Sequence, residues 1–323
     1  MLLKCLISFS IMINFSMSNN FVETCGCKKF TYNPYQERVK YLAKLPNLKK
    51  LNDLALIGTH SSFSYTVNEK GLQTQELDVG QQLKYGVRVL DIGFGRESNL
   101  FKIYADDVST GFGFLSALVE IDLFLEENPG EFIIMFIRQV YDLSGYKTKG
   151  NCKVIDHYIT NTMVGHRLVK NWQLNDTIGM YRGKILLASY DDSFEECSFS
   201  IYKHCFSHSD LRLDPDIVNV LGVIEKMNYI SEFIKYKLYG LSQCYIIDMS
   251  FAYERNKDRR VLAKDGGYLD ANDQCARPLN EWIVHLFKNP HRSLIIVTAD
   301  FPTQELIDKI NDSNFPDSSW RLE

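Results

Sequence analysis

Six short runs of aliphatic and β-branched residues recur along the chain, at residues 55–57, 88–92, 132–137, 184–189, 244–249 and 293–299. They are continuous rather than alternating with polar residues, so each reads as a strand buried on both faces. Between them lie stretches with apolar residues three and four positions apart, at residues 114–127, 154–163, 216–238 and 279–288. That is the period of an amphipathic helix. Buried strands alternating with helices predict an α/β protein built on a parallel sheet covered on both sides. The chain has 323 residues and no linker rich in Pro, Ser or Gly. A single (β/α) TIM-type barrel, irregular or incompletely closed, therefore accounts for the pattern better than two domains.

Composition removes several classes of function. At 45% hydrophobic and 24% charged residues, the chain can bury a sizeable core, which excludes disorder, collagen and coiled coil. The net charge is −4, with neither sign gathered in a long block. Nucleic acid is thus not an expected partner, and neither is an acidic membrane held by a polybasic segment. Residues 1–18 combine Lys4, an apolar run from Cys5 to Phe15 and small Ser16 and Ser18, the pattern of a signal peptide. The expected organisation is a signal peptide over 1–18, an extension over 19–50 that packs across the barrel end, and the barrel over 51–323.

A secreted or extracytoplasmic location fits the cysteines. Seven follow Cys5: Cys25, Cys27, Cys152, Cys197, Cys205, Cys244 and Cys275. In an oxidising compartment Cys197 and Cys205, separated by a short polar loop, are the expected disulfide, and the odd count leaves one cysteine over or pairs it between chains. Zinc is the weaker reading, since Cys25-Gly-Cys27 lacks the usual spacer. Asn175-Asp-Thr177 and Asn311-Asp-Ser313 are glycosylation sequons.

In a barrel the chemistry sits at the carboxyl ends of the strands. His60 lies just past the first strand, Asp91 and Gly93 at the end of the second and Arg138 at the end of the third. Asp248 and Ser250 end a later strand, and Asp300 follows the last. Closure makes the first and last strands neighbours, so His60 and Asp300 are expected within direct or water-bridged hydrogen-bonding reach. A His beside a carboxylate has the logic of a general base held in one tautomer.

The segments Leu54-Ala-Leu-Ile-Gly-Thr-His60-Ser-Ser-Phe-Ser-Tyr65, Gln81-Gln-Leu-Lys-Tyr-Gly-Val-Arg-Val-Leu-Asp91-Ile and Phe124-Leu-Glu-Glu-Asn-Pro-Gly-Glu-Phe-Ile-Ile134 occur in this order. They are followed by Tyr181-Arg-Gly-Lys-Ile-Leu-Leu187 and Ile295-Ile-Val-Thr-Ala-Asp300-Phe. As an ordered set spanning nearly the whole mature chain, they resemble the X domain of phosphatidylinositol-specific phospholipase C in its bacterial-like branch. The resemblance implies a phosphoric diester hydrolase or lyase that cleaves inositol phospholipids or glycolipid anchors during transient contact with a membrane. In that family a His takes the proton of the inositol 2-hydroxyl, which attacks the phosphodiester. A second His protonates the leaving alkoxide, and an Arg or a calcium ion stabilises the phosphorane. Carried over residue by residue, His60 is the base and Asp300 its orienting carboxylate. Arg138 and Arg182 line the headgroup pocket, and Asp91 is the acidic position of the second strand.

The departures point to weakened catalysis. Ser61 stands where the family has Asp or a calcium-binding Asn, and Gly93 where it has a phosphate-binding Arg or a calcium-binding acid. Ala105 and Asp106 occupy the register of the second His. No cofactor and no metal is therefore implied. Two replacements are open: Arg96 folding back to the phosphate, and Asp106 as the acid with its pKa raised by burial; otherwise both are loop residues of a barrel that no longer catalyses. Restoring the lost groups with Gly93→Arg and Asp106→His is expected to raise activity. The alternative is a non-catalytic secreted relative that binds an inositol headgroup or a protein partner. A glycosidase with Asp248 and Glu254 as paired carboxylates is weaker, since nothing fixes their separation. Phe112-Gly-Phe114 is a candidate membrane-docking element, or else two aromatics buried at a helix start.

Overall fold

A computed structural model describes residues 22–23, 30–97, 100–142, 150–208, 220–236, 243–250, 258–265, 268–269, 275–287, 293–316 and 320–321. The expected signal peptide over 1–18, together with Cys25, Cys27 and Glu254, lies outside them. Ten strands concern the site: β1 (Ala55–Thr59), β2 (Val89–Glu97), β3 (Leu100–Ala105), β4 (Val108–Gly113), β5 (Ile133–Asp142), β6 (Leu168–Val169), β7 (Ile185–Ser189), β8 (Phe206–Ser207), β9 (Cys244–Asp248) and β10 (Leu294–Ala299). The helices around them are α1 (Val79–Lys84), α2 (Phe114–Glu127), α3 (Asn151–Asn161), α4 (Val220–Tyr236), α5 (Arg259–Ala263), α6 (Leu279–Leu286) and α7 (Gln304–Asp312).

The central sheet is parallel in the order β8-β9-β10-β1-β2-β5-β7-β6. Among the described residues β8 and β6 do not pair, so the sheet curls into a barrel that stays open on one side. All six expected strands form. The hairpin of β3 and β4, built on the overhang of β2, and the short β6 and β8 escape sequence reading. Two-residue strands carry too little pattern to show, and in the hairpin Lys102 interrupts β3 while β4 is mostly small and polar residues.

Side chains alternate across each strand, and the two faces meet different partners. Ile57, Leu90, Ile92, Met135, Leu187, Ile247 and Val297 pack outward on the helices. Leu56, Val89, Ile134, Phe136, Leu186, Ile246 and Ile296 point inward and fill the barrel. Tyr41, Leu42 and Leu45 pack into that inner cluster, so part of the N-terminal extension plugs the amino end of the strands. Helix α2 forms over the expected span because Phe114, Ala117, Leu118, Ile121, Phe124 and Leu125 share one buried face.

That plugged end rests on a fully buried ion pair, Arg88 Nε to Glu131 Oε2 at 2.8 Å. Glu131 also accepts from the Ala43 N–H (2.8 Å), and Arg88 Nη1 donates to the Leu83 carbonyl (2.7 Å). Arg88→Met leaves an uncompensated buried carboxylate, so a loss of about 3–5 kcal/mol is expected in urea unfolding. Arg88→Met with Glu131→Leu should recover most of it. A single variant as stable as wild type contradicts this.

The structure departs from two expectations, the disulfide and the second sequon, and decides between the two readings of Phe112-Gly-Phe114. The described disulfides are Cys152–Cys197 and Cys205–Cys244, not Cys197–Cys205. The parallel register of β8 and β9 pairs Phe206 with Tyr245 and sets Cys205 beside Cys244, while the turn ending at Cys197 lies against α3. Asn311 is fully buried and its Nδ2 donates to the Gly86 carbonyl, so of these two sequons only the exposed Asn175 is open to modification. Phe114 is fully buried and Phe112 packs at a tilt against Phe63 and Tyr65. Of the two alternatives, Phe114 takes the buried one, while Phe112 is half-buried against the same core.

Candidate active site

The same alternation that fills the barrel builds the site. Two residues beyond each inward apolar side chain, the strands end in polar ones. Gly58 leads to His60, Val89 to Asp91, Phe136 to Arg138, Ala188 to Tyr190, Ile246 to Asp248 and Ile296 to Thr298. Those six polar residues line a cavity of about 250 Å³ at the carboxyl end of the sheet.

β10 and β1 pair in register, Ala299 with Thr59, and the chain brings His60 and Asp300 together as expected. His60 Nδ1 lies 2.8 Å from Asp300 Oδ1, with Asp300 1% exposed. Nδ1 is thereby committed to the carboxylate, and Nε2 is the ring nitrogen left for the cavity. The His60 backbone is held as well. Its N–H donates to the Ala299 carbonyl (3.1 Å), and its carbonyl accepts from Thr74 Oγ1 (2.7 Å) and Gln75 Nε2 (2.8 Å).

Asp91 faces this pair from β2. Arg138 Nε donates to its Oδ1 (3.1 Å), Arg138 Nη2 to its Oδ2 (3.3 Å) and the Ser61 N–H to Oδ2 (3.0 Å). Burial alone would raise the Asp91 pKa; Arg138, His60 and the Ser61 N–H outweigh it and hold the carboxyl below its ordinary value. Burial works against the Arg138 charge too, but Asp91 more than compensates and Asp106 adds to it, so Arg138 titrates above its ordinary range. Asp248 accepts from the Ser250 N–H (2.9 Å) and Thr298 Oγ1 (3.0 Å). Its burial is likewise outweighed, by Lys226 and His60, and its pKa is lowered. Tyr190 is pushed well above the ordinary phenol value by burial and by the Asp248 and Asp91 charges, so it stays a neutral hydroxyl.

The signs for Asp91 and Asp248 agree. A carboxyl with a lowered folded-state pKa gives stability that is complete above its unfolded value, about 3.9, and that is lost as pH falls through the folded value. Wild-type urea midpoints should thus fall off below about pH 4, and the slope should be shallower in Asp91→Asn. Equal slopes would count against these assignments.

The remaining candidates separate. Arg182 is at the opposite, amino end of the sheet, just before β7, where Nη1 donates to the Leu42 carbonyl (2.7 Å) and Nη2 to that of Leu45 (2.8 Å). It is bound to the plug and does not line the cavity. Arg96 shares the outward face of β2 with Phe94, and its guanidinium lies beside Gly150. It does not fold back to the phosphate position. Gly93 explains why no side chain stands there. A Cβ would lie 2.8 Å from the Tyr104 carbonyl oxygen and 2.8 Å from a Val140 methyl, so the restoring change Gly93→Arg does not fit. Gly93 is instead paired in register with Arg138, which puts a guanidinium on the neighbouring strand at the same level.

Asp106 is half-buried in the turn between β3 and β4 with φ of 51°, and its charge acts on Arg138. Among the described residues the non-glycine positive-φ positions are Ser61, Asp106 and Phe301. Each is, or adjoins, a candidate site residue, and left-handed backbone clusters at functional sites. Asp248 proves to line the cavity, whereas its supposed glycosidase partner Glu254 lies outside the described residues. Sequence reading missed Tyr190 and Thr298, although continuing the inward alternation by one step past Ala188 and Ile296 finds both. Buried Lys226, whose amine donates to the Ser250 carbonyl, left no such signal.

No protein-family model matches the chain. Curated relatives do. A 1-phosphatidylinositol phosphodiesterase of Listeria monocytogenes is 28% identical over 185 residues, covering 52% of this chain and 56% of that protein. One of Staphylococcus aureus is 26% identical over 153 residues, covering 46% and 49%. The chain is thus similar to 1-phosphatidylinositol phosphodiesterases. It spans about half the length of the curated relatives it matches. Solved phosphatidylinositol-specific phospholipases C superpose more broadly. The Listeria monocytogenes structure gives a TM-score of 0.64 at 21% identity over 87% of this chain and 100% of that one. A Staphylococcus aureus structure gives 0.69 at 16%, over 87% and 99%. The phosphodiesterase relatives thus share the fold, and among the described residues no helix is long and apolar enough to cross a membrane.

Proposed function

We propose that the protein is a secreted phosphoric diester hydrolase or lyase of the phosphatidylinositol-specific phospholipase C type, acting on an inositol phospholipid or glycolipid anchor at a membrane surface. The observation that carries this reading is the His60–Asp300 pair opening onto a cavity that also holds Arg138. The His60 Nε2 takes the proton of the inositol hydroxyl next to the phosphate. That oxygen attacks phosphorus, the Arg138 guanidinium stabilises the charge that builds on the phosphoryl oxygens, and the bond to the diacylglycerol oxygen breaks. Asp106, in the β3–β4 turn, is the proposed donor to the leaving oxygen and would act in its protonated form. Tyr190, Asp248 and Thr298 supply hydroxyl and carboxylate groups suited to the ring hydroxyls.

Turnover is slow in this reading, because an aspartic acid in a turn replaces the second histidine. Among the described cavity-lining residues His60 is the one histidine, which also favours the second reading, a headgroup binder without catalysis. Calcium is not required. The Arg138 charge lies against both Asp91 oxygens, where a cation would otherwise sit, and calcium asks for about six to eight oxygen ligands. Phosphatidylinositol vesicles should release diacylglycerol at the same rate in chelator and in added calcium. Release that needs calcium overturns the proposed arrangement, and binding of vesicles without release supports the second reading.

A further inference from the structure

A second buried pair stands behind the first. Arg259, at the start of α5, is 3% exposed, and its Nη1 lies 3.5 Å from Asp300 Oδ2, the oxygen that His60 does not use. Its Nε donates to the Gly71 carbonyl at 2.6 Å. Gly71 belongs to the β1–α1 loop, the same loop whose Thr74 and Gln75 clamp the His60 carbonyl. The Asp300 backbone carbonyl is itself held by Asn280 Nδ2 from α6 (3.1 Å). A guanidinium taken this far from water is costly unless it is paired, and its described contacts include the Asp300 carboxylate and the β1–α1 loop.

We infer that Arg259 is a positioning residue for the proton-transferring pair. It supplies the countercharge to Asp300, fixes the carboxylate against the His60 ring, and so sets the pH range in which His60 acts as a base. The inference rests on the proposed role of His60 as that base. Around the His60 ring stand Asp300, Asp91 from β2, Asp248 from β9, Arg138 from β5 and the Tyr190 phenol. Asp91 is matched by Arg138, and Asp248 has Lys226 nearby. Around Arg259 stand Asp300 and the helix-capping Asp258, which is paired with Lys70 at 3.3 Å. Next to it Arg260 is engaged with Glu76 and Asp265. Removing the Arg259 charge leaves the Asp300 carboxylate against the imidazole without that countercharge, which favours the protonated ring. The acid limb of activity then moves to higher pH, by about one pH unit for a charge at this range. A merely structural role would lower kcat and leave the limb in place.

The test uses the full chain as wild type, Arg259→Gln, which keeps a donor for Gly71 but no charge, and Arg259→Lys, which keeps the charge. Two readouts are taken: kcat/KM on phosphatidylinositol against pH, and the His60 ring signals in nitrogen-15 histidine spectra against pH, assigned by their loss in His60→Gln. The expected result is that Gln moves both midpoints upward by about one pH unit while Lys stays close to wild type. An unmoved ring midpoint in Gln overturns the inference. If Gln does not fold, Lys decides, since a Lys midpoint displaced by the same full unit overturns it and a wild-type midpoint upholds it. The spectra need no turnover, so a protein inactive on phosphatidylinositol with a shifted ring midpoint refutes the proposed activity and not the role of Arg259.

Discussion

His60→Ala should lower phosphatidylinositol cleavage by about 10²–10⁴-fold, the contribution of a general base in place, without unfolding the barrel. The ring is one-fifth exposed and its loss opens little core, while the clamps on its backbone remain. Asp300→Asn should also be impaired, because the amide no longer holds the proton on Nδ1 and the reactive tautomer is no longer enforced. Activity unchanged in His60→Ala, with melting temperature also unchanged, would show that another group takes the proton.

Arg138→Gln is the second large effect, and it has two parts that a double variant separates. Loss of a guanidinium aimed at developing charge should lower kcat by about 10²–10³-fold. It also strands the buried Asp91, so stability should fall by several kcal/mol, about 3–5 for a broken buried pair. Asp91→Asn added to Arg138→Gln should restore the urea midpoint and leave kcat low. Restored activity in the double variant would mean that Arg138 serves Asp91 alone and never meets the phosphate.

The barrel was legible because buried parallel strands write themselves as uninterrupted apolar runs, and β1 and β10 are two of the plainest. From those two ends alone the meeting of His60 and Asp300 followed. What sequence spacing hides is which way a side chain points and which end of a strand it serves. Arg182 carries the right charge but precedes its strand, so it faces the plug. Arg96 is three residues past Gly93, and an odd step along a strand changes face. The disulfides depended on the register between β8 and β9, and two-residue β8 gives no pattern to align. Arg259 and Lys226 were invisible for another reason. Each serves a residue far away in sequence, and only packing brings the charges together.

In the proposed mechanism His60, oriented by Asp300, drives an adjacent inositol hydroxyl onto the phosphodiester. Phosphorus-31 spectra of phosphatidylinositol in detergent, incubated with wild-type protein and chelator, test it most directly. Slow growth of a cyclic inositol phosphodiester signal is expected, stoichiometric with diacylglycerol and absent in His60→Ala. An unchanged substrate signal with chelator and with calcium, or a first product that is an open monoester, contradicts it.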